Sequence, residues 1–142
     1  MSDQSITTPS RGLPFNLDAP TLFIADYMLR VPLAVIIFQE GLNKFPDLAA
    51  GAAGWQVPLV LWTLVAVGEV LAPIGLLLGG LMNIRRGDLI TRAAALAIGS
   101  IVTAVILQVY SSAWLLMRFH VLMAAGAFFF ALRGNGKIWR PI

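Results

Sequence analysis

The stretch VPLVLWTLVAVGEVLAPIGLLLGGLM, Val57–Met82, carries a single charged side chain, Glu69. A hydrocarbon core of ~30 Å is crossed by about 20 apolar residues of helix, and this stretch is longer than that. The apolarity extends on both sides. Glu69 is the only charge between Leu48 and Ile84, and none occurs between Ala93 and Met117. Over the 142 residues, 58% are hydrophobic and 12% charged, whereas soluble domains carry roughly 25% charged residues. The mean hydropathy is +0.83. A chain of this length has too little polar surface to enclose so much apolar material, so it reads as membrane-integral, with the lipid bilayer as its first partner.

The net charge of +3 would suggest nucleic acid in a soluble protein. Here the basic residues border apolar segments, which is the pattern of membrane orientation, and no nucleic-acid partner is expected. The absence of cysteine excludes disulfides, thiolate metal sites, iron–sulfur clusters and CxxC redox pairs within this chain.

Proline, glycine and charge divide the chain into a polar tail (1–19), a four-span transmembrane domain (20–132) and a basic tail (133–142). The first tail lacks the apolar core of a cleavable signal peptide. Span one is expected over about Thr21–Phe45, with Pro32 inside and Pro46 stopping it. Span two covers about Val57–Met82, span three Asp88–Val109 and span four Ala113–Leu132. The loop PDLAAGAAGW between the first two is expected to lie flat at the membrane interface. Seven of the ten Lys and Arg fall in the tails or by the central loop: Arg11, Arg85, Arg86, Arg92, Arg133, Lys137 and Arg140. Only Lys44 borders the other two loops. The fold class that follows is all-α, an up-down four-helix bundle with both termini cytoplasmic. A bacterial inner membrane is the expected location. Gly68, Ala72, Gly75 and Gly79 form a smooth stripe on span two suited to close helix packing in lipid, against another span or another subunit.

Ionisable groups within spans are functional hypotheses by default. At 100° per residue, Asp26, Arg30, Glu40 and Lys44 share one face of span one, with i,i+4 pairings of Asp26 with Arg30 and of Glu40 with Lys44. Glu69 stands near the middle of span two. Counting rise from the span ends makes Arg30 its expected partner, so removing Glu69 alone is expected to strand a buried charge. Arg118 and His120 are about 200° apart on span four, so only one of them is expected to face the bundle. A single histidine excludes bis-histidine haem ligation, and no metal-ligand constellation, nucleophile triad or phosphate loop is present.

Two segments together resemble the DoxX/DoxD family of small four-helix membrane proteins. One is LRVPLAVIIFQEGLNKF, with Arg30 early and Gly41, Lys44 and Phe45 at its end. The other is GEVLAPIGLLLGG, in which Glu69 opens a Gly- and Leu-rich run, followed by a basic loop and TRAAAL at Arg92. The likeness covers about residues 26–98, and Pro73 departs from it at a position commonly small. It implies a membrane subunit associated with a redox enzyme, in some members quinone-linked, with Arg30, Gly41, Lys44 and Glu69 as signature positions.

Three functions compete. The first is a DoxX-like subunit of a redox complex that contacts quinone through Arg30 and Glu69, or through Gln39, Glu40, Lys44 and Arg118. The second is a purely structural or assembly subunit. The third is a small proton-coupled transporter built on Glu69. No intrinsic cofactor and no independent catalytic activity are expected, and quinone is the cofactor that the first reading brings. Further membrane subunits or a redox enzyme are the expected protein partners.

Overall fold

The computed structural model describes residues 19–82, 85–109 and 114–135. The expected 1–19 tail lies outside this range except for Ala19, and the expected 133–142 tail is described only over 133–135. Four long helices make the bundle: α1 (Ala19–Lys44), α3 (Leu59–Leu81), α4 (Arg85–Val109) and α5 (Trp114–Arg133). Each falls within about three residues of the expected span. Between α1 and α3 lie a 3-10 turn, Phe45–Asp47, and a short helix, α2 (Leu48–Gly54). The expected flat loop is therefore partly helical. Asp47 caps it, its carboxylate accepting the Ala50 N–H at 2.9 Å, which satisfies one of the free donors at a helix start.

The helices pack in the order α1–α3–α4–α5, with α1 and α5 only lightly in contact. The interior is built from small side chains. Ala34, Ala66, Ala72, Ala94, Ala95 and Ala127 are buried, with Leu76, Ile98 and Phe130 as larger fillers. Large apolar residues instead line the exterior of every long helix, Met28, Val60, Leu107 and Leu122 among them. Water-soluble domains put such residues inside, and an apolar surface this extensive suits contact with lipid. Two helices, Leu59–Leu81 and Arg85–Gln108, are both long and apolar enough to cross a bilayer. At 1.5 Å per residue, α1 and α5 are roughly 39 and 30 Å long.

The smooth stripe on α3 faces α4. A Cβ on Gly75 would meet Ala94 at 3.2 Å, and one on Gly79 would meet Thr91 Oγ1 at 2.6 Å. That stripe is thus consumed within the chain, where missing side chains let the two backbones approach. Along α1 and α3, Gly41 abuts Glu69 and Arg30 abuts Gly80. This register brings Lys44, the last residue of α1, level with about Ala66, roughly 10 Å short of the start of α3. The remaining height is taken up by the 3-10 turn and α2, which packs on α3 where Gly51 meets the Trp62 indole.

Candidate functional site

The charged residues of α1 divide between the two ends of the bundle. At the end where α1 begins and α5 stops, here the terminal end, Arg30 is fully buried and all five of its N–H donors are used. Nε donates to Asp26 at 2.6 Å, and Nη1 to the Leu76 carbonyl at 2.9 Å and Thr91 Oγ1 at 3.3 Å. Nη2 donates to the Gly134 carbonyl at 3.3 Å and Asn135 Oδ1 at 3.2 Å. A guanidinium has five donors in a fixed fork, and here it touches α1, α3, α4 and the end of α5. Its plane also lies 4.5 Å from the centre of the Phe130 ring, a cation–π distance.

The surrounding residues complete this clasp. Gly134 takes φ +65°, the left-handed conformation in which helices commonly end on glycine. Its N–H bonds back to the Phe130 carbonyl at 2.8 Å. Arg92 donates to the carbonyls of Ala131, Leu132 and Arg133, groups left open at a helix C-terminus. Asn135 donates through Nδ2 to the Gly79 carbonyl at 2.8 Å and through its backbone N–H to Asp88 at 2.8 Å. Arg133 reaches Asp26 at 3.0 Å. Arg30 has no capacity left for a ligand.

The expected Arg30–Glu69 bridge is absent. Glu69 pairs instead with Lys44, Nζ to Oε2 at 2.5 Å, and Arg30 pairs with Asp26. An Arg30–Glu69 pair requires spans one and two to end at the same height. Because α1 stops about two turns short, the ammonium arrives beside Glu69 and Arg30 lies lower, beside Leu76 and Gly80. Gly41 makes the approach possible, since a Cβ there would stand 2.8 Å from Glu69 Cβ. The anticipated side-chain pairing of Glu40 with Lys44 is replaced by a bond from Lys44 to the Glu40 carbonyl at 3.4 Å.

The Lys44–Glu69 pair sits in the wall of a cavity of about 500 Å³ in the other half of the bundle. Its walls come from α1, α3, α4 and α5 together with Trp55 and Val57. They are mainly apolar, with Glu40, Lys44, Glu69, Gln108 and His120 as convergent polar groups. Ligand sites typically show this composition at volumes of about 300–1,000 Å³. The Lys44 ammonium also lies 5.4 Å from the Trp62 ring centre.

The hydrogen-bond capacity of the pair is incomplete. An ammonium has three donors, and Lys44 uses two, on Glu69 and on the Glu40 carbonyl. Only one Glu69 oxygen, Oε2, takes a hydrogen bond among the described residues. Among the described residues one Lys44 donor and one Glu69 acceptor are therefore unused, in the wall of a mainly apolar space. Pro73, which has no N–H, also leaves the Glu69 carbonyl without its ordinary helical donor.

Of the residues singled out from sequence, Glu40, Lys44 and Glu69 meet at this cavity, and Arg30, Gln39 and Arg118 do not. Arg30 belongs to the clasp. Gln39 is exposed and lies by a separate apolar groove near Pro73 and Phe38. Arg118 is exposed while His120 lines the cavity, as their angular separation required. Sequence reasoning missed Trp62 and Gln108 at the cavity and Thr91, Arg92 and Asn135 at the clasp. Among the described residues no cluster of His, Asp or Glu is placed to hold a metal ion. Comparison with known protein families, curated proteins and solved structures finds no match.

Proposed function

We propose that the protein is an integral membrane bundle whose cavity binds a lipophilic molecule with a neutral, hydrogen-bonding head. A quinone is the chemistry best suited to it, and the bundle serves a membrane redox complex as an accessory subunit. The observation that carries this reading is the spare Lys44 donor and spare Glu69 acceptor on an otherwise apolar wall. A ring carbonyl takes a hydrogen bond from Lys44, and the hydroxyl of a reduced ring gives one to Glu69. Trp62 beside the pair and Trp55 elsewhere in the cavity wall supply flat apolar surface for the ring. Electrons come from and go to a partner. In this reading all four long helices cross the bilayer, and the basic residues at the terminal end face the cytoplasm, in keeping with the bias of Lys and Arg toward that side.

Titration of the purified protein in lipid nanodiscs with a short-chain quinone, followed by tryptophan fluorescence, tests the proposal. Saturable quenching that is weakened by Lys44→Ala and by Glu69→Ala supports it. Linear, unsaturable quenching identical in all three proteins removes it. The alternative of a purely structural subunit draws on Arg30, a charged residue committed wholly to holding four helices together. Copurification of one stoichiometric enzyme with no bound small molecule favours that alternative.

A further inference from the structure

The walls of the cavity are not equally closed. The pairs α1–α3, α3–α4 and α4–α5 pack extensively, while α1 and α5 barely touch. Among the described residues their contacts include Arg133 on Asp26, Arg30 over Phe130 and, near mid-helix, Gly126 against Leu33. Beyond Leu33 both helices line the cavity, α1 through Glu40 and Lys44 and α5 through His120 and Met123. Phe119 and Leu122, neighbours of those α5 residues, are exposed on the outside. Trp55 and Val57 line the cavity from the connection into α3.

The charge within the cavity narrows what can enter. Two acidic residues, Glu40 and Glu69, and one lysine, Lys44, line it, so carboxylates outnumber ammonium groups in its wall. An anionic head is disfavoured there by like-charge repulsion at low dielectric, whereas a hydroxyl, ketone or amide is not.

We propose that the cavity opens sideways between α1 and α5 and is filled from the bilayer by a single-chain amphiphile with an uncharged head. The head lies at Lys44 and Glu69, and the chain leaves between the two helices into lipid. This rests on the reading of the cavity as a ligand site, and it adds the route, the orientation and the rejection of anionic heads.

Trp62 provides the readout once Trp55, Trp114 and Trp139 are replaced by phenylalanine. The protein is reconstituted into phosphatidylcholine vesicles with or without bromine at mid-chain, and iodide is added to the aqueous phase. The expected result is strong quenching of Trp62 by brominated chains and little by iodide. A long-chain alcohol should relieve the bromine quenching, and an alkyl sulfate of equal length should not. Quenching by iodide alone, or bromine quenching that no alcohol relieves, overturns the proposal. Bromine quenching relieved equally by the sulfate overturns the charge selection. The unsubstituted protein, with alcohol relief as the readout, serves as a second measurement if the triple replacement impairs folding. Bromine quenching with no quinone binding would leave the side opening standing and remove the quinone reading. Quinone binding with access only from water would do the reverse.

Discussion

The two ends of this bundle handle buried charge in opposite ways. At the terminal end Arg30 finds a full set of acceptors drawn from α1, α3, α4 and the α5 cap, and the charge is used up in holding them. At the other end Lys44 and Glu69 satisfy each other but keep a spare donor and acceptor beside an open cavity. Both arrangements compensate a charge that would be costly in an apolar interior. Only the incomplete one can bind something else. A charged residue within an apolar helix thus signals chemistry only after its hydrogen bonds have been counted.

The largest expected effect falls on the clasp. Arg30→Ala leaves Asp26 without its i,i+4 partner and frees carbonyls on α3 and α5, so a loss of ~3–5 kcal/mol is expected, typical of breaking a buried pair. Thermal melts in detergent should show Arg30→Lys recovering only part of it, because an ammonium has three donors instead of five. Full recovery by lysine would break the comparison by showing that charge alone suffices.

Next in size is the helix packing around the clasp. Gly79→Leu puts a side chain into Thr91 and the Gly87 carbonyl, both within 2.9 Å of the added Cβ. A cost of about 1–3 kcal/mol or more is expected from overpacking. Gly54→Ala, with nothing within 4 Å, should leave the melting temperature nearly unchanged. A similar size is expected for Asn135→Ala, which strands the Gly79 carbonyl and removes an acceptor of Arg30 and Thr91. Unsatisfied buried groups cost ~1–3 kcal/mol each. Its melting temperature should fall while the quinone binding proposed for the opposite end stays as it was. A coupled loss of both would sharpen the comparison into communication between the ends.

The smallest effect is expected at Arg118. It is exposed and lies outside both clusters, so Arg118→Ala should change stability by less than ~0.5 kcal/mol and leave ligand titrations unchanged.

The four long helices were legible because uncharged stretches of this length have few alternatives, and because Pro46, Pro58 and the polar central loop mark their ends. The Asp26–Arg30 pair was legible because i,i+4 neighbours meet on any helix. The Lys44–Glu69 pair was not, because it depends on how far α1 slides along α3. Gly41 and the intervening α2 set that offset. A trace of α2 was present in Asp47 three residues before Ala50, a cap spacing, but the loop's weak polarity pointed only to a segment lying flat at the interface. Thr91 and Asn135 were hidden for another reason: neutral side chains acquire a role only when a buried charge needs acceptors nearby. Their positions are fixed by tertiary packing that no local pattern encodes.

The most direct test of the division between the two ends is a double-mutant cycle on stability in detergent. It compares Lys44→Ala, Glu69→Ala and the double variant, with the corresponding Arg30–Glu69 cycle run alongside. The account predicts that the Lys44–Glu69 double change costs less than the sum of its singles, by ~0.5–3 kcal/mol, while Arg30 and Glu69 add independently. Additive losses for Lys44 and Glu69, with coupling of Arg30 to Glu69 instead, would contradict it.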